Sequence, residues 1–310
     1  MHPPTPRPRR GRRRRALLTL CVLLGLGGYV VIHLVSGGGA PPHCTVRDAR
    51  TGESREFDPE QTANAATISA VASARGLPPR AVTIALATAM QESELHNIRY
   101  GDRDSLGLFQ QRPSQGWGDE GQIMDPVYSA GKFYEHLAEV RGYSRLPLTV
   151  AAQRVQRSGF PQAYAKHEPA ATLLSAALTG HQEAALSCTT GAAPDREAAD
   201  AGAVRALLAR EFGAGALAQG GGGGRTRPGS AGGVVVVTPE RGDGEDGGSP
   251  RRGWELAHWA VAHADELRLE RVSFAGREWS AAESGEGWRE TPEGAAGPAG
   301  PGDVRITPAQ

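Results

Sequence analysis

The sequence predicts a mainly α-helical domain followed by a small α/β domain, with one N-terminal transmembrane helix in front of both. Three observations carry this expectation. Residues 16–35 are uncharged and mostly apolar, behind a tail of seven arginines and no acid in residues 1–15. Residues 44–188 repeat a pattern of Pro or Asp-Pro starts followed by apolar runs. From residue 203 onward, short β-branched runs and one tryptophan-bearing stretch are separated by glycine-rich segments, the pattern of a small mixed domain.

As a helix, residues 16–35 are long enough to cross a hydrocarbon core of about 30 Å. Clustered arginine stays on the cytoplasmic side. The expected order is therefore a basic cytoplasmic tail at 1–15, a transmembrane signal-anchor at 16–35 and a linker at 36–43. The body would lie outside a cell membrane that the chain spans once. The rival is a secreted protein, because Gly38-Gly39-Ala40 offers small residues for signal cleavage. Cys21 reads as an apolar filler within the span.

The whole chain carries 34 basic and 34 acidic residues, but with the seven tail arginines set aside the remainder is acidic by seven charges. No basic patch is evident, which disfavours nucleic-acid binding, since phosphate neutralisation dominates that affinity. The tail arginines suit anionic lipid instead. Cys44 and Cys188 bracket the helical segment and are expected to pair as a disulfide in an oxidising exterior. Two isolated cysteines lack metal-ligand spacing, and neither a metal nor a cofactor is expected.

Within the first domain, Asp58-Pro59 opens a helix that runs through Ile68 and Val71 and stops at Gly76. Pro78-Pro79 opens a second, and Ala81 to Met90 are apolar on nearly every side, as in a core helix. Glu92 leaves the core at its end. Glu94 lies two residues on, roughly 200° around the helix, and should face water. Asp102 and Asp104 fall in a turn where Asx geometry accounts for them. Trp117, between Gly116 and Gly118, can stack on a sugar ring or cover the core edge. Asp125-Pro126 opens a helix with Val127, Tyr128, Phe133, Tyr134 and Leu137 on one stripe, and further helices follow Leu148 and Pro161.

A linker at 189–202 leads to the second domain, 203–310. Gly220 to Gly224, with Pro228, Gly229, Gly232 and Gly233, read as a disordered loop. Val234 to Val237 read as a buried strand. Gly253 to Leu267 read as a helix carrying Trp254, Leu256, Trp259 and Ala260, and Arg271–Trp279 and Asp303–Thr307 as strands. His258 and His263 are five apart on that helix, roughly 140° around it, so they do not converge on one metal.

The motif Gln91-Glu92-Ser93-x-Leu95-x-Asn97, followed by Ser105-x-Gly107-Leu108-Phe109-Gln110-Gln111-x-Pro113, resembles the first two motifs of lysozyme-like lytic transglycosylases and related actinobacterial cell-wall proteins. The resemblance implies a helical fold around a glycan cleft, peptidoglycan strands as the ligand, Glu92 as general acid and base, and Ser105, Gly107 and Gln110 at the sugar subsites. Gln111, Trp117 and Tyr164 are further candidates for sugar contacts. The third family motif, Ala-Tyr-Asn-x-Gly, corresponds to a helix reading Ala151-Ala152-Gln153-Arg154-Val155-Gln156-Arg157-Ser158-Gly159, with Gln156 or Gln153 where a glycan-binding amide belongs. A carboxyl group with a raised pKa is what protonation of a glycosidic oxygen requires. A hydrolase needs a second carboxylate about 5 Å away if retaining, or roughly 6.5–9.5 Å if inverting. A lytic transglycosylase needs one, because the 6-hydroxyl of the muramyl sugar serves as the nucleophile. The competing class is a wall-binding or scaffold protein without activity, whose partners in wall synthesis or division the residues do not identify.

In the second domain, Val204-Arg205-x-Leu207-Leu208-x-x-Glu211-Phe212-Gly213, Trp254-x-x-Ala257-x-Trp259, and Trp279 with Ser284-Gly285-Glu286-Gly287-Trp288 are similar to an actinobacterial module related to zinc D-Ala-D-Ala carboxypeptidases. Placed on the family's metal ligands, this chain has Pro228 and Val235 at the first histidine and aspartate. Asp303 and Arg305 stand where the last strand carries histidines. The resemblance thus implies a degenerate, zinc-free peptidase-like module.

Overall fold

The computed structural model describes residues 19–29, 41–191, 200–213, 233–239, 248–291 and 302–309. The chain divides into two units, Met1–Pro41 and Pro42–Gln310. Within the first, residues 19–29 form helix α1, about 16 Å long at 1.5 Å per residue. Among the described residues no helix is long and apolar enough to cross a membrane. This corrects the predicted fold class and localisation: a transmembrane helix over 16–35 and a single-pass topology with a cytoplasmic N-terminus are not supported. The described residues 19–29 cover about half of the length that a hydrocarbon core requires. Residues 1–18 and 30–40, and with them the rest of the proposed span and most of the linker, lie outside the described residues. So does the glycine-rich stretch from Gly220 to Gly232.

The second unit begins with a hairpin, β1 (Cys44–Arg47) and β2 (Ser54–Phe57). Helix α2 (Pro59–Ala74) starts at a full capping box: Asp58 accepts from the Gln61 backbone N–H and Gln61 returns a bond to Asp58. Helix α3 (Pro79–Ser93) buries every residue from Ala81 to Met90, as an all-round apolar helix must. It ends through two left-handed residues, Glu94 (φ 55°) and Leu95 (φ 66°). Short α4 (Glu120–Ile123) leads to α5 (Pro126–Glu139), whose Asp125 cap accepts from the Val127 N–H. Helix α6 (Leu148–Gln156) is followed by a 3-10 run, Pro161–His167, which continues into α7 (Glu168–Leu178). Strand β3 (Leu186–Cys188) returns to β1, giving a three-stranded sheet in the order β2-β1-β3.

Helix α8 (Ala201–Phe212) and strand β4 (Val235–Val237) open the last segment. Helix α9 (Gly248–Ala262) then precedes β5 (Leu269–Phe274), β6 (Arg277–Ser280), β7 (Arg289–Glu290) and β8 (Val304–Pro308). These strands form an antiparallel sheet ordered β4-β8-β5-β6-β7. The expected single strand over 271–279 is therefore a hairpin, turned by Ala275 (φ 50°) and Gly276 (φ 72°).

Helix α9 packs on β5 and β8 on one side and on α2, α7 and β3 on the other. The seam is polar as well as apolar. Ala185 N–H donates to His258 Nε2 at 3.1 Å, and the other ring nitrogen lies 2.8 Å from the Ala177 carbonyl. Trp279 and Trp288 donate to the Cys188 and Leu186 carbonyls at 3.0 and 2.7 Å. Gly180 has φ +72°, and a Cβ there would collide with the Arg251 carbonyl, so glycine is required where α9 meets the end of α7.

Cys44 and Cys188 face each other in the β1–β3 register and form a disulfide across 144 residues of chain. Cys21 is free and exposed. Full-length chain denatured without reductant should accordingly take up one maleimide label, and three after reduction. Reduction should lower the urea midpoint by an amount equivalent to about 2–5 kcal/mol, the usual cost of removing a native bridge. Three labels without reductant would exclude the disulfide.

Candidate active site

Glu92 sits half-buried in the last turn of α3. The neighbouring Ser93 fixes this helix end, since its hydroxyl lies 3.1 Å from the Ala89 carbonyl and 2.8 Å from that of Leu108. The second bond ties α3 directly to the Ser105–Gln111 turn. That turn closes on itself: Leu106 and Gln111 exchange backbone bonds of 2.9 and 3.0 Å. Gly107 (φ +74°) donates to the Ile98 carbonyl at 2.7 Å, and a Cβ on it would come 2.8 Å from the Ile123 carbonyl. Glycine is thus demanded by both conformation and space.

Two side chains from distant sequence meet Glu92. The buried Tyr164, in the 3-10 run before α7, donates from its hydroxyl to Glu92 Oε1 at 2.7 Å. Gln156, at the end of α6, donates to the Phe109 carbonyl at 2.7 Å and lies close enough to the same carboxylate to lower its pKa. Burial pushes the Glu92 carboxyl above its ordinary pKa, and the Tyr164 bond and the nearby Gln156 amide partly offset that rise. The negative end of the α3 dipole lies at this turn and also disfavours the carboxylate. Burial together with the adjacent Glu92 charge raises the Tyr164 phenol well above its usual range, so it remains a donor at neutral pH.

Of the other residues singled out from sequence, Gln110 lines the adjoining groove but spends its amide on the Gly107 and Tyr100 carbonyls. Gln111 is buried and donates to the Ser129 carbonyl at 3.0 Å, which makes it chiefly a support for the turn. Ser105 is buried too, its N–H bonded to the Asp102 carbonyl. Gln153, the alternative to Gln156, donates to the Ser158 carbonyl at 2.7 Å. Glu94 is exposed and caps the helix. Asp104 accepts from Arg112 Nε at 2.7 Å and from the Ser114 N–H at 2.8 Å, bonds that hold its carboxyl well below the usual range. It serves the loop as a fixed anion.

The groove itself encloses about 550 Å³ and is lined by Gln110, Trp117, Arg141, Arg154, Gln156 and Arg157 among others. Glu92 is not on that lining; Gln156 connects the two, lining the groove and lying near the Glu92 carboxylate. The Trp117 ring packs 4.3 Å from that of His136. The sequence singles out Gln156 and Tyr164 as sugar contacts, whereas in the fold Tyr164 bonds the acid and Gln156 bonds the Phe109 carbonyl beside it.

If Tyr164 grips Glu92, its removal must alter the acid. Tyr164→Phe deletes a bond that lowers the Glu92 pKa, so the carboxyl should titrate higher still. NMR titration of 13C-labelled glutamate in wild type, Tyr164→Phe and Glu92→Gln would assign and follow it. A Glu92 titration unmoved by Tyr164→Phe would remove the assigned contact.

The zinc-ligand positions lie elsewhere. Val235 is buried at the start of β4, Arg305 lies within β8, and Asp303 Oδ1 accepts from Thr238 Oγ1 at 2.7 Å. Pro228 is outside the described residues. Among the described residues no three His, Cys, Asp or Glu side chains gather where a metal could be held.

Comparison with known families gives one finding: residues 195–298 match a family model described as VldE, C-terminal domain. The match spans about a third of the chain and includes none of the residues around Glu92. No curated protein matches the chain.

Proposed function

We propose that the groove binds a peptidoglycan glycan strand and that Glu92 cleaves it as a single general acid and base. The observation that carries this reading is a half-buried carboxyl whose proton affinity burial raises, bonded by Tyr164 and next to Gln156, which lines the groove. An acid whose proton affinity burial raises is better able to deliver its proton to a glycosidic oxygen. The motif resemblance at 91–97 and 105–113 points to the same chemistry, and the Cys44–Cys188 bridge suits an oxidising compartment.

The single-acid route is favoured because Asp104, an acid of the adjoining turn, is already bound to Arg112 and Ser114. Protonated Glu92 gives its proton to the leaving oxygen as the C1–O bond breaks. The resulting carboxylate then takes the proton of the sugar's 6-hydroxyl while that oxygen closes on C1. The product is a 1,6-anhydro end, and no water is consumed. The test is incubation with purified wall glycan and mass spectrometry of the soluble products. Anhydro ends support the reading, and reducing ends would replace it with hydrolysis. No cleavage at any pH from 4 to 8 would leave only a binding role.

A further inference from the structure

We infer that the groove beside Glu92 selects its strand by charge, with Arg141, Arg154 and Arg157 as specificity-determining residues for an amino-sugar strand that bears free carboxylates. This inference rests on the reading of the groove as a glycan cleft and adds the chemistry of the strand it takes.

The three arginines come from two helix ends. Arg141 follows α5, Arg154 lies in the last turn of α6, and Arg157 is the α6 cap; all three line the same groove. All are exposed, and among the described residues none forms an ion pair or a side-chain hydrogen bond. The fourth lining arginine, Arg112, is neutralised by Asp104 at 2.7 Å. Glu139 is the one acid on the lining, 3.8 Å from His136. The groove therefore carries an excess of positive charge on a chain that is acidic by seven beyond its N-terminal arginines.

A cation at a helix C-terminus complements the dipole, which accounts for each arginine taken alone. It does not account for three from two separate helix ends lining the one groove that Gln156 also lines. Positive groups lining a concave surface concentrate anions there, and a guanidinium can hold a carboxylate through two parallel bonds. Trp117 is on the same lining, packed beside His136, and an aromatic ring in such a place is of the kind that contacts sugars. Carboxylates spaced along a sugar strand would satisfy both features at once.

The test uses full-length Glu92→Gln protein, which should bind without cutting, and isothermal titration with three probes. These are wall-glycan oligosaccharides stripped of peptide so that their lactyl carboxylates are free, the same oligosaccharides methyl-esterified, and polyphosphate. The acid form should bind at least tenfold more tightly than the ester at low salt, and the gap should shrink as salt is raised. Arg154→Gln with Arg157→Gln should bind acid and ester alike, with circular dichroism verifying the fold. Equal binding of acid and ester by the parent would overturn the inference and leave the glycan reading standing. Failure of every oligosaccharide to bind would remove the glycan reading and the inference with it. Polyphosphate binding more tightly than the acid glycan would also overturn it, in favour of a phosphate polymer.

Discussion

Glu92→Gln is expected to lower the rate of glycan cleavage by 10²–10⁴-fold, the range for loss of a positioned acid, without loss of stability. Glutamine keeps the shape and can still accept from Tyr164, but it has no proton to transfer. The stability side follows from the direction of the Glu92 shift. Burial raises the folded-state pKa, so this carboxyl supports the fold below its unfolded value of about 4.5 and withdraws that support as pH rises through the folded value. At neutral pH the glutamine variant should therefore be at least as stable as the parent in urea, while at pH 4 it should gain nothing. The cleavage rate of the parent should fall on the alkaline side as Glu92 loses its proton. A variant that cleaves at the parental rate would transfer the role to another group, and a variant that unfolds would make Glu92 a structural residue.

How much of this was legible in the sequence depends on how local the cause was. The starts of α2 and α5 were readable because Asp58-Pro59 and Asp125-Pro126 act within a single turn, through a side-chain cap and a pre-set φ. The position of Glu92 at a helix end was readable for the same reason, whereas its role and the choice of Gly107 came from the motif resemblance. The contacts that make Glu92 an unusual acid were not local. Tyr164 lies 72 residues away and reaches the carboxylate only because α3, α6 and the run before α7 pack together, which no spacing rule encodes. Strands β1, β2 and β3 are three or four residues long, too short to show alternation, and they are identified by the partners they find. Helix α8 was visible only as a motif with no structural reading. The apolar run at 16–35 had the composition of a span, but the described helix has about half the necessary length.

The seam between α2, α8 and α9 shows what composition hides, and Glu211 there sets the second large expectation. Glu211 is buried and accepts from Thr67 Oγ1 at 2.7 Å and Trp259 Nε1 at 2.6 Å. His263 Nε2 lies 3.6 Å from the same carboxylate, within ion-pair range, while its Nδ1 is 3.1 Å from Glu266. Burial alone would push the His263 imidazole down, but the Glu211 and Glu266 charges outweigh it and hold the ring protonated above its ordinary range. A buried charge stripped of its counterion costs about 3–5 kcal/mol, so Glu211→Ala, which leaves His263 with Glu266 alone and Trp259 Nε1 without its acceptor, should destabilise the protein by up to about that amount near pH 7. The linkage has a definite sign. Because its folded pKa is raised, His263 stabilises fully below about 6.5, its unfolded value, and that contribution fades as pH rises through the folded one. His258, whose ring nitrogens both meet backbone groups, is pushed down to about 4 by burial, so it withdraws stability as pH falls from neutrality. Two histidines five residues apart thus bound a stability maximum from opposite sides. Urea unfolding from pH 4 to 10 should show that maximum, with the alkaline decline reduced in His263→Gln. A parent whose stability stays level from pH 7 to 10, or Glu211→Ala within 1 kcal/mol of it, would mean that this pair does not hold the seam.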